Sequence, residues 1–101
     1  MDLDWIHRCV RDGAYLYSRH GDRERGNDGL ILEEVEQAIL TGRILEQYDD
    51  SGRGESCLVV GFTHWGKPVH VVCGQWDDRM VIITVYISTP PKFKTPFKRG
   101  D

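Results

Sequence analysis

The sequence predicts an α+β protein, with two N-terminal helices packed on a four-stranded antiparallel β-sheet meander. Three observations predict this class. Apolar residues recur at helical spacing before Gly42 and at a period of two after it. The later apolar runs are joined by short Asp-, Gly- and Pro-bearing connections, which make consecutive strands antiparallel hairpins. The chain has 101 residues, 40% apolar and 29% charged, which suits one domain with a modest core.

Residues 3–12 form the first helix in this reading. Leu3, Ile6 and Val10 share a face, Trp5 and Cys9 form an adjacent stripe, Asp2 and Asp4 suit the start, and Gly13 suits the stop. Residues 14–17 read as a brief strand or as the lead-in to a helix. Residues 18–29 are strongly polar and hold three glycines, so a loop or broken helix is expected. Residues 31–41 form the clearest helix: Ile31, Val35, Ala38 and Ile39 lie on one face, Glu33 and Glu34 favour its N-terminus, and Gly42 follows as a cap. Four strands are then expected over 44–48, 57–63, 69–76 and 80–87. Val and Ile outside the alternation of the last two suggest coverage on both faces. Pro90, Pro91 and Pro96 stop the sheet near Thr89, because proline cannot donate into a ladder. The reading is one domain over 1–89 and a basic tail over 90–101, whose Phe93 and Phe97 suggest that it packs on something.

The formal charge of −3 argues against a non-specific nucleic-acid coat protein, since phosphate binding is mostly electrostatic. It leaves room for a local basic site, and residues 92–101 hold four basic residues against one acid. No signal peptide and no bilayer-spanning run is legible, so a cytoplasmic protein is expected. Cys9, Cys57 and Cys73 have neither disulfide-framework nor zinc-ribbon spacing, and the four histidines lack ligand spacing. No metal and no cofactor is expected. The acidic helix over 31–41 has the wrong sign for a DNA major groove.

Two constellations could carry chemistry. The first is Arg19, His20, Arg23 and Arg25. A titratable imidazole beside guanidinium groups is what metal-free phosphodiester cleavage requires, with fixed positive charge for the developing phosphorane. The bland counterpart is a solvated loop whose arginines pair with Asp22 and Glu24. The second is His70, Thr84 and Tyr86, polar residues inside apolar strands. A two-residue loop at Asp77-Asp78 pairs Trp76 with Arg79 and puts His70 on the face away from Tyr86. A three-residue loop pairs Trp76 with Met80 and puts His70 opposite Tyr86. The bland counterpart is a core histidine with one partner.

Ser18-x-His20 with its following arginines, the run ILEEVEQAILTGRILEQYDD, and then SCLVVGF, GKPVHVV and VIITVY occur in an order that resembles the bacterial DUF4258 family over about residues 15–88. Gly21 and Asp49 depart from its usual pattern, which has a small apolar residue and a proline there. The resemblance implies a place among RelE/ParE-like toxins of the ribonuclease-like fold, and a cognate antitoxin of the small zinc-finger, MqsA-like kind.

The resulting expectation is a metal-independent endoribonuclease of the toxin type, a monomer or homodimer, cutting RNA through the 2′-hydroxyl. His20 would transfer the proton, Arg23 and Arg25 would hold the phosphate, and Tyr86 or His70 would be the partner acid or base, oriented by Thr84. Arg19, Lys92, Lys94, Lys98 and Arg99 would extend the RNA footprint. The competing expectation is a non-catalytic member of the same fold that binds a protein partner or RNA.

Overall fold

The computed structural model describes residues 1–49, 52, 54–88 and 93–99. Eight described elements form the main body up to residue 87: α1 (Leu3–Arg11), β1 (Tyr15–Tyr17), α2 (Arg19–Asn27), α3 (Leu32–Thr41), β2 (Arg43–Tyr48), β3 (Ser56–Phe62), β4 (Pro68–Trp76) and β5 (Arg79–Ile87). A small hairpin, β6 (Phe93–Thr95) and β7 (Lys98–Arg99), follows.

The α+β class holds, with two corrections. Among the described residues there are three helices rather than two, and the main sheet has five strands, in the order β1-β5-β4-β3-β2, rather than four. The meander β2 to β5 is antiparallel as expected, but β1 adds to β5 in parallel, so the sheet is mixed.

The physical reason for the extra helix is tertiary. α2 has almost no apolar face and buries only Gly21. Its start is fixed by Ser18, whose hydroxyl accepts from Gly21 N at 2.9 Å and donates to the Ile83 carbonyl at 2.9 Å. Gly21 is required for close approach: a Cβ there would stand 2.6 Å from the Ile82 carbonyl oxygen. The helix then treats the edge of β5 as a strand would. Ser18 N donates to the Ile82 carbonyl (2.9 Å), Val85 N donates to the Glu24 carboxylate (3.2 Å), and Ile87 N donates to the Asp28 carboxylate (2.9 Å).

α1 and α3 cover one face of the sheet. Ile6, Val10, Val35, Ala38 and Ile39 pack there against Val59, Val69, Val71, Cys73, Ile82 and Val85. α3 lies close to β3 because Gly61 faces the Ala38 carbonyl. His7 Nε2 ties α1 to α3 by donating to the Ile39 carbonyl at 2.8 Å. The second face carries Leu58, Val60, His70, Thr84 and Tyr86, and the C-terminal hairpin lies against it. Phe97 packs on Phe62 with ring centroids 5.9 Å apart, and the Arg43 guanidinium sits 4.4 Å from the Phe97 centroid.

The β4–β5 register combines the two sequence alternatives. The loop is the two-residue one, pairing Trp76 with Arg79, and Asp77 takes φ 58° there. Yet His70 pairs with Tyr86 and Val72 with Thr84. A β-bulge reconciles them: Cys73 pairs with Ile82, so Ile83 is the extra residue that turns the rest of β5 over.

Cys57 and Cys73 are a directly opposed cross-strand pair, both buried as free thiols. Burial pushes the Cys57 thiol up to about 11 and the Cys73 thiol well above its ordinary 9.0. Burial also pushes the Tyr17 phenol up to about 12, against the opposing pull of Arg25. All three groups keep their protons in the fold at a pH where the unfolded chain has released them. Their contribution is therefore complete below about pH 9 and is lost as pH rises through the folded values. Urea midpoints at neutral pH and at pH near 11 are expected to differ, with the alkaline one lower. Equal midpoints would remove this linkage.

Candidate active site

The first constellation sits on α2. Helical rotation separates its charged residues into two flanks. On one flank Arg25 is spent on structure: its Nη2 donates to Asp22 at 2.7 Å, its Nη1 donates to the Leu30 carbonyl at 2.8 Å, and its guanidinium stands 5.7 Å from the Tyr17 ring centroid. Tyr17 and Leu30 belong to the helix-covered side. His20 and Arg23 lie roughly opposite Arg25 on the helix. Arg19 and Arg23 are exposed, and the His20 side chain is 62% exposed.

His20 Nε2 stands 3.1 Å from Glu24 Oε1, one helical turn on. A carboxylate oxygen only accepts, so Nε2–H donates. The same oxygen accepts Val85 N. Val85 lies between Thr84 and Tyr86, whose side chains emerge on the second face. One carboxylate thus couples the imidazole on α2 to the stretch of β5 that carries the second constellation.

In that constellation, sheet register lines up Arg43, Val60, His70 and Tyr86 in one row across the second face. Leu58, Val72 and Thr84 form the next row. His70 is fully buried. Its Nδ1 lies 3.2 Å from the Tyr86 hydroxyl and its Nε2 lies 2.7 Å from the Pro96 carbonyl oxygen. Thr84 and Tyr86 are half-buried.

Of the residues expected to extend an RNA footprint, Arg19 and Lys98 are exposed. Lys92 and the side chains of Lys94 and Arg99 lie outside the described residues. Among the described residues, no three His, Cys, Asp or Glu side chains converge as metal ligands. A cleft of about 350 Å³ lies elsewhere, lined by residues 13–16, Asp78 and Arg79.

Sequence reasoning missed three participants. Glu24 was legible as a helical i,i+4 partner of His20 only once 18–29 was read as a helix. Pro96 contributes a backbone carbonyl, which no side-chain motif reports. Arg43 joins the row through strand register alone.

The fold and these groups define a small α+β protein in which a helix docks on the edge of the sheet and bonds it through carboxylates. The chain belongs to the family described as Domain of unknown function (DUF4258), which matches residues 17–87. That span runs from the end of β1 to the end of β5, and so includes both constellations but not α1 or the C-terminal hairpin. No curated protein and no solved structure matches the chain. No helix among the described residues is long and apolar enough to cross a membrane.

Proposed function

We propose that this protein is a metal-independent endoribonuclease of the RelE/ParE-like toxin type. It acts on RNA in the cytoplasm and is restrained by a cognate antitoxin, for which a small zinc-finger, MqsA-like protein is the leading candidate. The observation that carries the reading is the single carboxylate of Glu24, which holds the solvent-facing His20 and also binds β5 between Thr84 and Tyr86. An exposed imidazole oriented by a carboxylate is suited to proton transfer near neutral pH. Arg23 and Arg19, exposed on the same helix, offer guanidinium donors for phosphate oxygens. Arg25 braces the helix while adding positive charge to it.

In this mechanism the ribose 2′-hydroxyl gives its proton to Tyr86 or His70 and attacks the adjacent phosphate, the phosphorane is stabilised by guanidinium charge, and the 5′-oxygen leaves with a proton from His20. The products are a 2′,3′-cyclic phosphate and a 5′-hydroxyl. Purified, partner-free protein incubated with single-stranded RNA in excess chelator should generate cyclic-phosphate ends. Intact RNA after prolonged incubation overturns the reading.

A second reading, a non-catalytic module that binds RNA or a protein, is favoured by one observation: Arg25, a candidate phosphate ligand, is already bonded to Asp22 and Leu30. Retarded mobility of RNA without new ends would support it.

A further inference from the structure

Two polar contacts of His70 have proton directions that follow from chemistry. A carbonyl oxygen can only accept, so the 2.7 Å contact with Pro96 requires a proton on Nε2. In the neutral ring the other nitrogen then carries a lone pair and no hydrogen, so the Tyr86 hydroxyl is the donor in the 3.2 Å contact with Nδ1. The ring has little freedom to do otherwise: it is fully buried and packed against Tyr86, with centroids 5.3 Å apart. The carbonyl comes from the turn of the β6–β7 hairpin, outside residues 17–87 that the family covers. Phe97, the next residue, seats that turn between Phe62 and Arg43.

We infer that the C-terminal hairpin is a working part of the site: the Pro96 carbonyl locks His70 as the Nε2–H tautomer, which makes His70 a positioning residue that draws the Tyr86 proton inward and aims the phenol oxygen outward as a base. The tautomer rests on geometry alone, and the role of Tyr86 as base rests on the ribonuclease reading.

The substrate 2′-hydroxyl proton passes to the Tyr86 oxygen as the proton already on Tyr86 passes to His70 Nδ1. The O2′–P bond forms and the P–O5′ bond breaks. The departing O5′ takes its proton from the His20 imidazolium. His70 is left as an imidazolium, still donating from Nε2 to Pro96. Reset returns its Nδ1 proton through Tyr86 to solvent, and His20 is reprotonated from solvent. The tautomer thus decides the sense of the relay. An Nδ1–H ring would donate to Tyr86 and could not take a proton from it.

The test has two readouts. Long-range ¹⁵N–¹H correlation spectra of the uniformly labelled full chain should show His70 with a protonated Nε2 and a bare Nδ1. A His70 spectrum of the Nδ1–H form overturns the inference whether or not the protein cuts RNA. In the cleavage assay, Tyr86→Phe keeps the ring and removes only the hydroxyl. Its kcat should fall about 100-fold or more, with KM within about twofold, as expected when an interaction of the transition state alone is lost. His70→Gln should lower kcat similarly. Wild-type kcat in Tyr86→Phe overturns the relay while leaving the ribonuclease reading standing. Intact RNA with the wild-type protein overturns that reading and the base role with it, and leaves the tautomer to be decided by the spectrum.

Discussion

Replacing His20 by Ala is expected to lower the rate of RNA cleavage by about 100- to 10,000-fold, the usual worth of a positioned proton-transfer group. The thermal midpoint should move by no more than a few degrees. The side chain is 62% exposed, and its one polar contact among the described residues is with Glu24 on the same helix. Exposed pairs of this kind contribute a few tenths of a kcal/mol, about what i,i+4 pairs give isolated helices. Glu24 would keep its bond to Val85 N, so the docking of α2 survives. A rate fall accompanied by a large drop in midpoint would mean that His20 is structural. Unaltered cleavage would remove it from the mechanism.

Gly61→Ala is expected to be the most damaging small substitution in the fold. A Cβ at this position of β3 would overlap the Ala38 carbonyl oxygen and stand 2.6 Å from the Ala38 carbonyl carbon. Both are backbone atoms in the middle of α3, so no rotamer change relieves them. The helix must lift off the sheet, and Val35, Ala38 and Ile39 would lose contacts in the core. Overpacking typically costs about 1–3 kcal/mol, and rigid backbone atoms on the receiving side put this case at the upper end. In a domain of this size each kcal/mol lowers the midpoint by roughly 4–8 °C, so a fall of more than about 10 °C is expected. Domains with stabilities of about 5–10 kcal/mol have little margin for that. A midpoint within about 3 °C of the parent, measured by calorimetry, would show that α3 does not press on β3 as described.

The meander was legible because each strand alternates or runs apolar between turn residues. Cys57, Val59, Val69 and Val71 reach the core in the structure, as their spacing implies. α1 and α3 were legible from Ile6, Val10, Val35 and Ile39. α2 was not, because a helix that buries one glycine and bonds a strand edge through carboxylates leaves no hydrophobic period in the sequence. β1 was ambiguous because three residues are too few to show a period, and its parallel pairing with Met80, Val81 and Ile82 is a long-range choice. At the site, the types of His20, His70, Thr84 and Tyr86 could be read but not their grouping. Whether His70 faces Tyr86 depends on the bulge at Ile83, and one extra residue in a ladder has no sequence mark.

The way α2 lies along β5 bears on how this protein can meet other chains. A bare strand flank invites any extended peptide to zip onto it, and long β5 would be the natural target. Instead its distal amides at Val85 and Ile87 are already satisfied by acidic side chains, and its proximal part is shielded by β1. Recruitment by strand extension is thereby steered to the far border of the sheet, where Arg43–Tyr48 has, among the described residues, a ladder neighbour on one side only.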